Sequence, residues 1–309
     1  MSVSSSPPVA LGGWISRRAA ASPELPAITF DGRTQTYGQF DRRISRLAGQ
    51  LIAGGATRGD RVAYAGLNHP DFLTTLFACS RIGAIFVPIN YRLTAPEMDF
   101  ILQDAGAHTL IADADCAAVA GGIVSQSGVR RAVCLEPLSG WEVLDDLLAQ
   151  RPQDFDPCHP GPDDVAIIMY TSGTTGRPKG AMLTHGNLFW NNINCLLALD
   201  THQDDVSLVC APMFHIGGLN VTTLVTLQKG GHVVLMPAFD PVRTLELIVQ
   251  YRVTSMFGVP AMFLFMSQAE QFASTDFSSV RILFCGGAPV PQALIQTYGE
   301  RGVAFVQGY

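Results

Sequence analysis

Apolar and polar positions along this chain follow two rhythms. Arg61-Val62-Ala63-Tyr64-Ala65 and Ile85-Phe86-Val87-Pro88-Ile89 are short, nearly continuous apolar runs. Between them, Pro70 to Ile82 spaces its apolar residues as one helix face requires. The order recurs downstream: Pro96 to Ala105 predicts a second helix and Thr109-Leu110-Ile111-Ala112 a third strand. Val165-Ala166-Ile167-Ile168-Met169 and Ile282-Leu283-Phe284 are uninterrupted apolar runs, the pattern of parallel strands covered on both faces. Proline marks three helix starts, at Asp240-Pro241, Val259-Pro260 and Val290-Pro291, where its missing N–H would have no partner anyway. This alternation predicts an α/β fold of mostly parallel sheet flanked by helices. No repeat of fixed period runs through the chain.

The stretch Arg151 to Asp164 contains four prolines and reads as a linker. It predicts a first lobe over residues 1–155 and a second over 156–309. With 48% hydrophobic and 15% charged residues in 309, the composition is that of a core-forming chain, not a disordered one. The net charge of −6 is divided as +4 over residues 1–61, −9 over 62–164 and −1 over 165–309. That balance argues against a nucleic-acid partner, and the acidic middle reads as solvated surface. Val206 to Gln228 carries no charged residue, yet Pro212, His215, Gly217, Gly218 and Asn220 break its apolar character. A buried strand followed by a buried helix fits it better than a transmembrane segment. The seven cysteines contain no CxxC pair, which disfavours zinc, and most read as small buried hydrophobes. Residues 1–10 lack the pattern of a secretory signal, and the expected compartment is the reducing cytoplasm.

Chemistry concentrates after the proline-rich stretch. Tyr170-Thr171-Ser172-Gly173-Thr174-Thr175-Gly176-Arg177-Pro178-Lys179-Gly180 follows an apolar strand and carries four serine and threonine hydroxyls, three glycines and Lys179. Only one other lysine, Lys229, occurs in the chain, against 18 arginines. Glycines admit a phosphate close to backbone N–H groups, hydroxyls donate to its oxygens, and lysine adds a compact positive charge. The spacing is not that of a Walker A loop, because Pro178 and Gly180 stand where that motif needs glycine and a hydroxyl. Without a ligand the same residues would make only a Gly/Thr-rich hairpin.

Tyr170 to Gly180 resembles the signature loop of the adenylate-forming superfamily, which includes acyl-coenzyme A synthetases, aryl-acid ligases, luciferases and peptide-synthetase adenylation domains. Ala211-Pro212-Met213-Phe214-His215-Ile216-Gly217-Gly218-Leu219 resembles its second core motif, Gly286-Gly287-Ala288-Pro289 its adenine-side loop, and Gln307-Gly308-Tyr309 the opening of the next motif. The resemblance implies ATP-dependent activation of a carboxylic acid to an acyl-adenylate and then to a thioester, with ATP, Mg2+ and coenzyme A. It implies that Thr171, Ser172, Gly173, Thr174, Thr175, Gly176 and Lys179 hold the β- and γ-phosphates, with Thr171 also near the magnesium. Gly286, Gly287 and Ala288 would line the adenine and acyl pocket. Tyr309 would stack on adenine beside Gln307 and Gly308. His215 would gate the acyl site and, with Lys179, serve catalysis. The alternative for His215 is a satisfied core histidine.

Gly217 and Gly218 would leave room in the acyl pocket, and with the charge-free wall they favour a medium- or long-chain fatty acid. An aryl-acid–CoA ligase and an enzyme loading a carrier-protein thiol remain open, and a homodimer is carried as a partner expectation. No acid occurs between Val206 and Phe239, which disfavours an amino-acid substrate whose ammonium would stay unpaired. One departure is Ala238, which stands where some relatives carry a lysine that contacts coenzyme A. The resemblance further implies that the Gln-Gly-Tyr motif continues beyond Tyr309. On that expectation the chain is an N-terminal portion, lacking a barrel and a C-terminal lid, and is impaired or inactive by itself.

Overall fold

In the computed structural model, residues 9–171 and 177–308 are described. The chain divides into two units, one built from residues up to 23 with 38–67 and 71–190, the other from 24–37, 68–70 and residues from 191 onward. Among the described residues the strands are β1 (Pro26–Phe30), β2 (Arg33–Thr36), β3 (Arg61–Ala65), β4 (Ile85–Ile89), β5 (Ala107–Ala112), β6 (Arg131–Cys134) and β7 (Glu142–Val143). They continue as β8 (Val165–Thr171), β9 (Lys179–Thr184), β10 (Val206–Val209), β11 (His232–Leu235), β12 (Ser255–Gly258), β13 (Ile282–Cys285) and β14 (Phe305–Gln307).

Each unit owns one seven-stranded sheet. The first has the order β7-β6-β5-β3-β4-β8-β9 and the second β14-β13-β12-β10-β11-β1-β2. The two orders are the same topology. The earliest crossover strand (β3 or β10) lies centrally, its successor pairs on one side, and the next three build outward on the other. Every pair is parallel except the outermost hairpins, β8–β9 and β1–β2, which are antiparallel. A shared topology without a shared sequence period is compatible with the absence of a detectable repeat, because sheets need only the apolar pattern.

The strands β3 and β4 and the helix Pro70–Ile82 fall where the apolar rhythm predicts them. That helix is buried along its length, so its charged residues need partners. Arg43 Nε and Nη2 donate to the Asp71 carboxylate at 2.6 and 2.9 Å, and Arg81 reaches Asp41, Ser16 and Ser45. The next helix, Ala95–Ala105, begins one residue before Pro96 because Thr94 and Glu97 form a capping box, and Gly106 closes it with φ +61°. Pro241 and Pro260 open helices as expected, whereas Pro291 is the extended cap before Gln292–Gly299.

The division between units does not follow the expected 155/156 boundary. Arg151 to Pro160 has no regular structure, but it packs within the first unit. The Cys158 N–H donates to the Arg81 carbonyl at 2.7 Å, and a Cβ at Gly49 would lie 2.6 Å from the Gln153 carbonyl oxygen. Proline density removes hydrogen-bonded structure without freeing a segment from its neighbours. The units part instead at 190/191, and the early β1–β2 hairpin joins the second sheet through β11. β8 likewise departs from an all-parallel environment, since β9 runs antiparallel along it.

A buried histidine, His185, and a half-buried one, His232, give the fold a pH dependence. His185 Nδ1 accepts from the Leu11 N–H at 3.3 Å, and His232 Nε2 lies 2.8 Å from Thr29 Oγ1. Burial pushes each down to about 4 from the ordinary 6.5. The unfolded chain therefore binds these protons more tightly. The stability the neutral rings contribute is complete above pH 6.5 and is lost as pH falls toward 4. The free energy of unfolding is expected to decline in that window by at most about 1.4 kcal/mol per pH unit for each histidine. Urea titrations of His185→Gln at several pH values check this, with a shallower decline as the expected result.

Candidate nucleotide and acid site

The signature hairpin is built on β8 and β9. In its register Tyr170 pairs with Gly180, and Thr171 pairs with Lys179. The two chemical ends of the loop thus stand directly opposite each other, both exposed. Ser172, Gly173, Thr174, Thr175 and Gly176 lie outside the described residues. The equivalent hairpin of the second unit turns in two residues, Asp31 (φ +47°) and Gly32 (φ +75°). The first unit instead spends residues 172–178 on the same connection. Gly180 serves packing: a Cβ there would meet Ile168 Cγ2 at 2.7 Å and the Tyr170 ring at 3.1 Å. The Tyr170 hydroxyl donates to Asp104 Oδ2 at 2.6 Å, which ties the base of the hairpin to the helix Ala95–Ala105. Burial and the Asp104 carboxylate raise the Tyr170 pKa.

In open α/β sheets ligands collect beyond the carboxyl ends of the strands, where the winding reverses. In the second sheet that reversal lies between β10 and β12. The loop after β10 is Cys210 to Ile216, followed by a π-helical turn, Gly217–Val221. Asn68 is buried and fixes this loop. Its Nδ2 donates to the Ala211 and Met236 carbonyls at 3.0 and 3.2 Å, and its Oδ1 accepts from the Met213 N–H at 2.9 Å. Nothing in the local sequence marked Asn68, because its three partners lie 143 to 168 residues away.

His215 is exposed and its ring lies 4.3 Å from that of Phe214, so the core-histidine alternative is excluded. Gly217 and Gly218 do not leave open space. A Cβ on Gly217 would lie 2.6 Å from the Phe257 ring, and one on Gly218 would collide with the Pro212 carbonyl. The expected room in the pocket is therefore occupied at both positions, by a ring and by backbone.

The remaining motifs follow β13 and β14, which are paired neighbours with Cys285 opposite Gln307. Gly286 is buried, Gly287 takes φ +80°, and Ala288 and Gln307 are exposed. Gly308 lies over the Phe284 ring, and its N–H donates to the Cys285 carbonyl at 2.9 Å. Tyr309 lies outside the described residues. The corresponding reversal in the first sheet, between β3 and β5, is filled by the chain's own Asp113. That carboxylate accepts from the Leu67 and Cys116 N–H groups at 2.9 Å each.

Ala238 lines a cavity of about 210 Å³ with Thr29, Asp31, Asp240, Arg243 and Tyr251. Among the described residues no group of three or more His, Cys, Asp or Glu side chains is placed to hold a metal ion. Thr171 offers one neutral oxygen, which does not make a resident metal site. No helix among the described residues is long and apolar enough to cross a membrane.

The chain is thus an α/β protein of two doubly wound units, the first with a lengthened hairpin that has a lysine at its base, the second with three glycine-bearing loops along the strand-end edge of its sheet. The family of AMP-binding enzymes matches residues 15–309, and the chain belongs to it. It is 47% identical over 299 residues to a feruloyl-CoA synthase from Amycolatopsis sp, covering 97% of this chain and 58% of that protein. A long-chain-fatty-acid–CoA ligase from Mycobacterium tuberculosis is 37% identical over 301 residues, covering 96% and 59%. The inhibitor-bound N-terminal domain of FACL13 from Mycobacterium tuberculosis superposes with a TM-score of 0.90 at 35% identity, covering 97% of this chain and 75% of that one. The chain spans about three fifths of the length of the curated relatives it matches. Its two mixed, mostly parallel sheets are the architecture of that N-terminal domain, and the described residues form no barrel.

Proposed function

We propose that this chain carries the nucleotide and acid sites of an ATP-dependent acid–thiol ligase, and that the acid is aromatic. A carboxylate oxygen attacks the α-phosphorus of ATP. The new O–P bond forms as the bond to pyrophosphate breaks. The sulfur of coenzyme A then attacks the acyl carbonyl carbon, and AMP leaves. In the first step two anions approach each other, so the protein's contribution is positioning and charge stabilisation. Lys179 and the hydroxyls of the 171–176 segment neutralise the β- and γ-phosphates, and ATP enters as its magnesium complex beside Thr171. Gly286, Gly287, Ala288, Gln307, Gly308 and Tyr309 form the adenine side, and His215 stands at the acid entrance.

The observation that carries the aromatic reading is the Phe257 ring against Gly217. An extended alkyl chain was favoured by empty space at Gly217 and Gly218, and both spaces are filled. A site floored by a rigid ring suits a flat acid, and the 47% identical feruloyl-CoA synthase supports the same class. Calorimetric titration with two acyl-sulfamoyladenosines checks it, one arylpropenoyl and one hexadecanoyl. The aryl compound is expected to bind at least about tenfold more tightly. Equal affinities, or tighter binding of the hexadecanoyl compound, would remove the aromatic reading.

A further inference from the structure

Phe257 and Phe284 are directly paired across β12 and β13, with ring centroids 6.1 Å apart and planes tilted by 36°. Being opposite in register, they project from the same face of the sheet at its carboxyl edge. Three glycines from three separate motifs lie on these two rings. Gly217 and Gly286 both face Phe257, with Cβ positions that would fall 2.6 and 3.3 Å from its ring. Gly308 faces Phe284, where a Cβ would fall 2.5 Å from the ring. Phe257 is closely packed, being 8% exposed and part of the core that includes Met262 and Phe263.

We propose that this phenylalanine pair is a shared floor that positions both halves of the site: Phe257 sits beneath the acid loop and the adenine loop together, and Phe284 beneath the nucleotide side alone. The inference rests on the function proposed above. Its physical basis is that a glycine in contact with a ring has no side chain to absorb a shift, so the backbone follows the ring. The loop bearing His215 joins the π-turn at Gly217, and the loop bearing Ala288 begins at Gly286. Neither can settle independently of the Phe257 ring. Phe257 thereby couples acid and nucleotide recognition as a positioning residue, without itself reacting.

The test compares Phe257→Leu with Phe284→Leu in the 309-residue chain. Affinity for ATP reports the nucleotide half. The gain in affinity on adding an arylpropenoyl group to sulfamoyladenosine reports the acid half. Phe257→Leu is expected to lower both by about threefold to tenfold, and Phe284→Leu to lower only the first by a similar factor. Gly217→Ala should reduce the acyl gain, and the double variant Gly217→Ala/Phe257→Leu should recover it, because the smaller side chain makes room for the new methyl. A merely structural role would lower both measurements alike in the two leucine variants and give no recovery. That outcome, or an unchanged acyl gain in folded Phe257→Leu, overturns the inference while leaving the proposed function intact. Failure of the unsubstituted chain to bind ATP or the sulfamoyladenosine overturns both.

Discussion

Alanine at position 179 is expected to weaken ATP binding by about tenfold to a hundredfold, a loss of about 1.4 to 2.8 kcal/mol. Lys179 opens β9 directly opposite Thr171, at the mouth of the loop that β8 delivers. It is exposed in the described structure, so its removal leaves no buried gap and costs little stability. The loss falls on the ligand, whose terminal phosphates forfeit a point charge. Two comparisons isolate that effect. Lys229→Ala removes the only other lysine, which ends the helix Thr223–Lys229, and should leave ATP affinity unchanged. A sulfamoyladenosine, which lacks the β- and γ-phosphates, should bind Lys179→Ala as it binds the unsubstituted chain. Unchanged ATP affinity in folded Lys179→Ala would contradict the role assigned to this loop.

Gly218→Ala is expected to produce the largest loss of stability of any single methyl addition considered, about 3 kcal/mol. The methyl would meet the Pro212 carbonyl oxygen, the Pro212 carbonyl carbon at 2.7 Å and the Ala211 carbonyl oxygen at 2.9 Å. All three are backbone atoms, and Asn68 pins the Ala211 carbonyl by a 3.0 Å hydrogen bond. No side chain can swing aside, so the π-turn or the loop must move. Gly217→Ala is milder, because its obstacle is the edge of one side chain and not the backbone of its own loop. The denaturant midpoint of each variant at fixed m-value measures the difference, and a Gly218→Ala chain as stable as its parent would show that the turn repacks freely.

Much of the architecture was legible because parallel strands declare themselves as apolar runs. β3, β4 and the helix between them coincide with the sequence reading to the residue. What sequence could not supply was pairing at a distance. β1 lies beside β11 through contacts such as Ile28 with Val233, and nothing local in Pro26–Phe30 signals that partner. The proline-rich stretch misled for the opposite reason, since composition reports missing regular structure and is silent about packing against Gly49.

The site was legible as motifs but not as roles. Glycine in a motif reads as access for a ligand, whereas Gly180, Gly217, Gly218 and Gly308 are held by neighbouring side chains or backbone. Tyr170 and Pro212 share a motif with their glycines, but Phe257 and Phe284 lie 40 and 24 residues from Gly217 and Gly308, outside any local window. The π-turn at Gly217–Val221 has no established sequence signal and interrupts what would otherwise read as a continuous helix. His215 lies between apolar runs, which favours burial by pattern, yet the loop that Asn68 fixes leaves it exposed.

The central claim is that a carboxylic acid meets the α-phosphate of ATP at this edge of the second sheet. Acid-dependent exchange of labelled pyrophosphate into ATP tests it most directly, in the protein carrying this chain. An arylpropenoic acid is expected to drive exchange well above the acid-free rate and at least about tenfold above hexadecanoic acid. Exchange that no acid stimulates would contradict the claim.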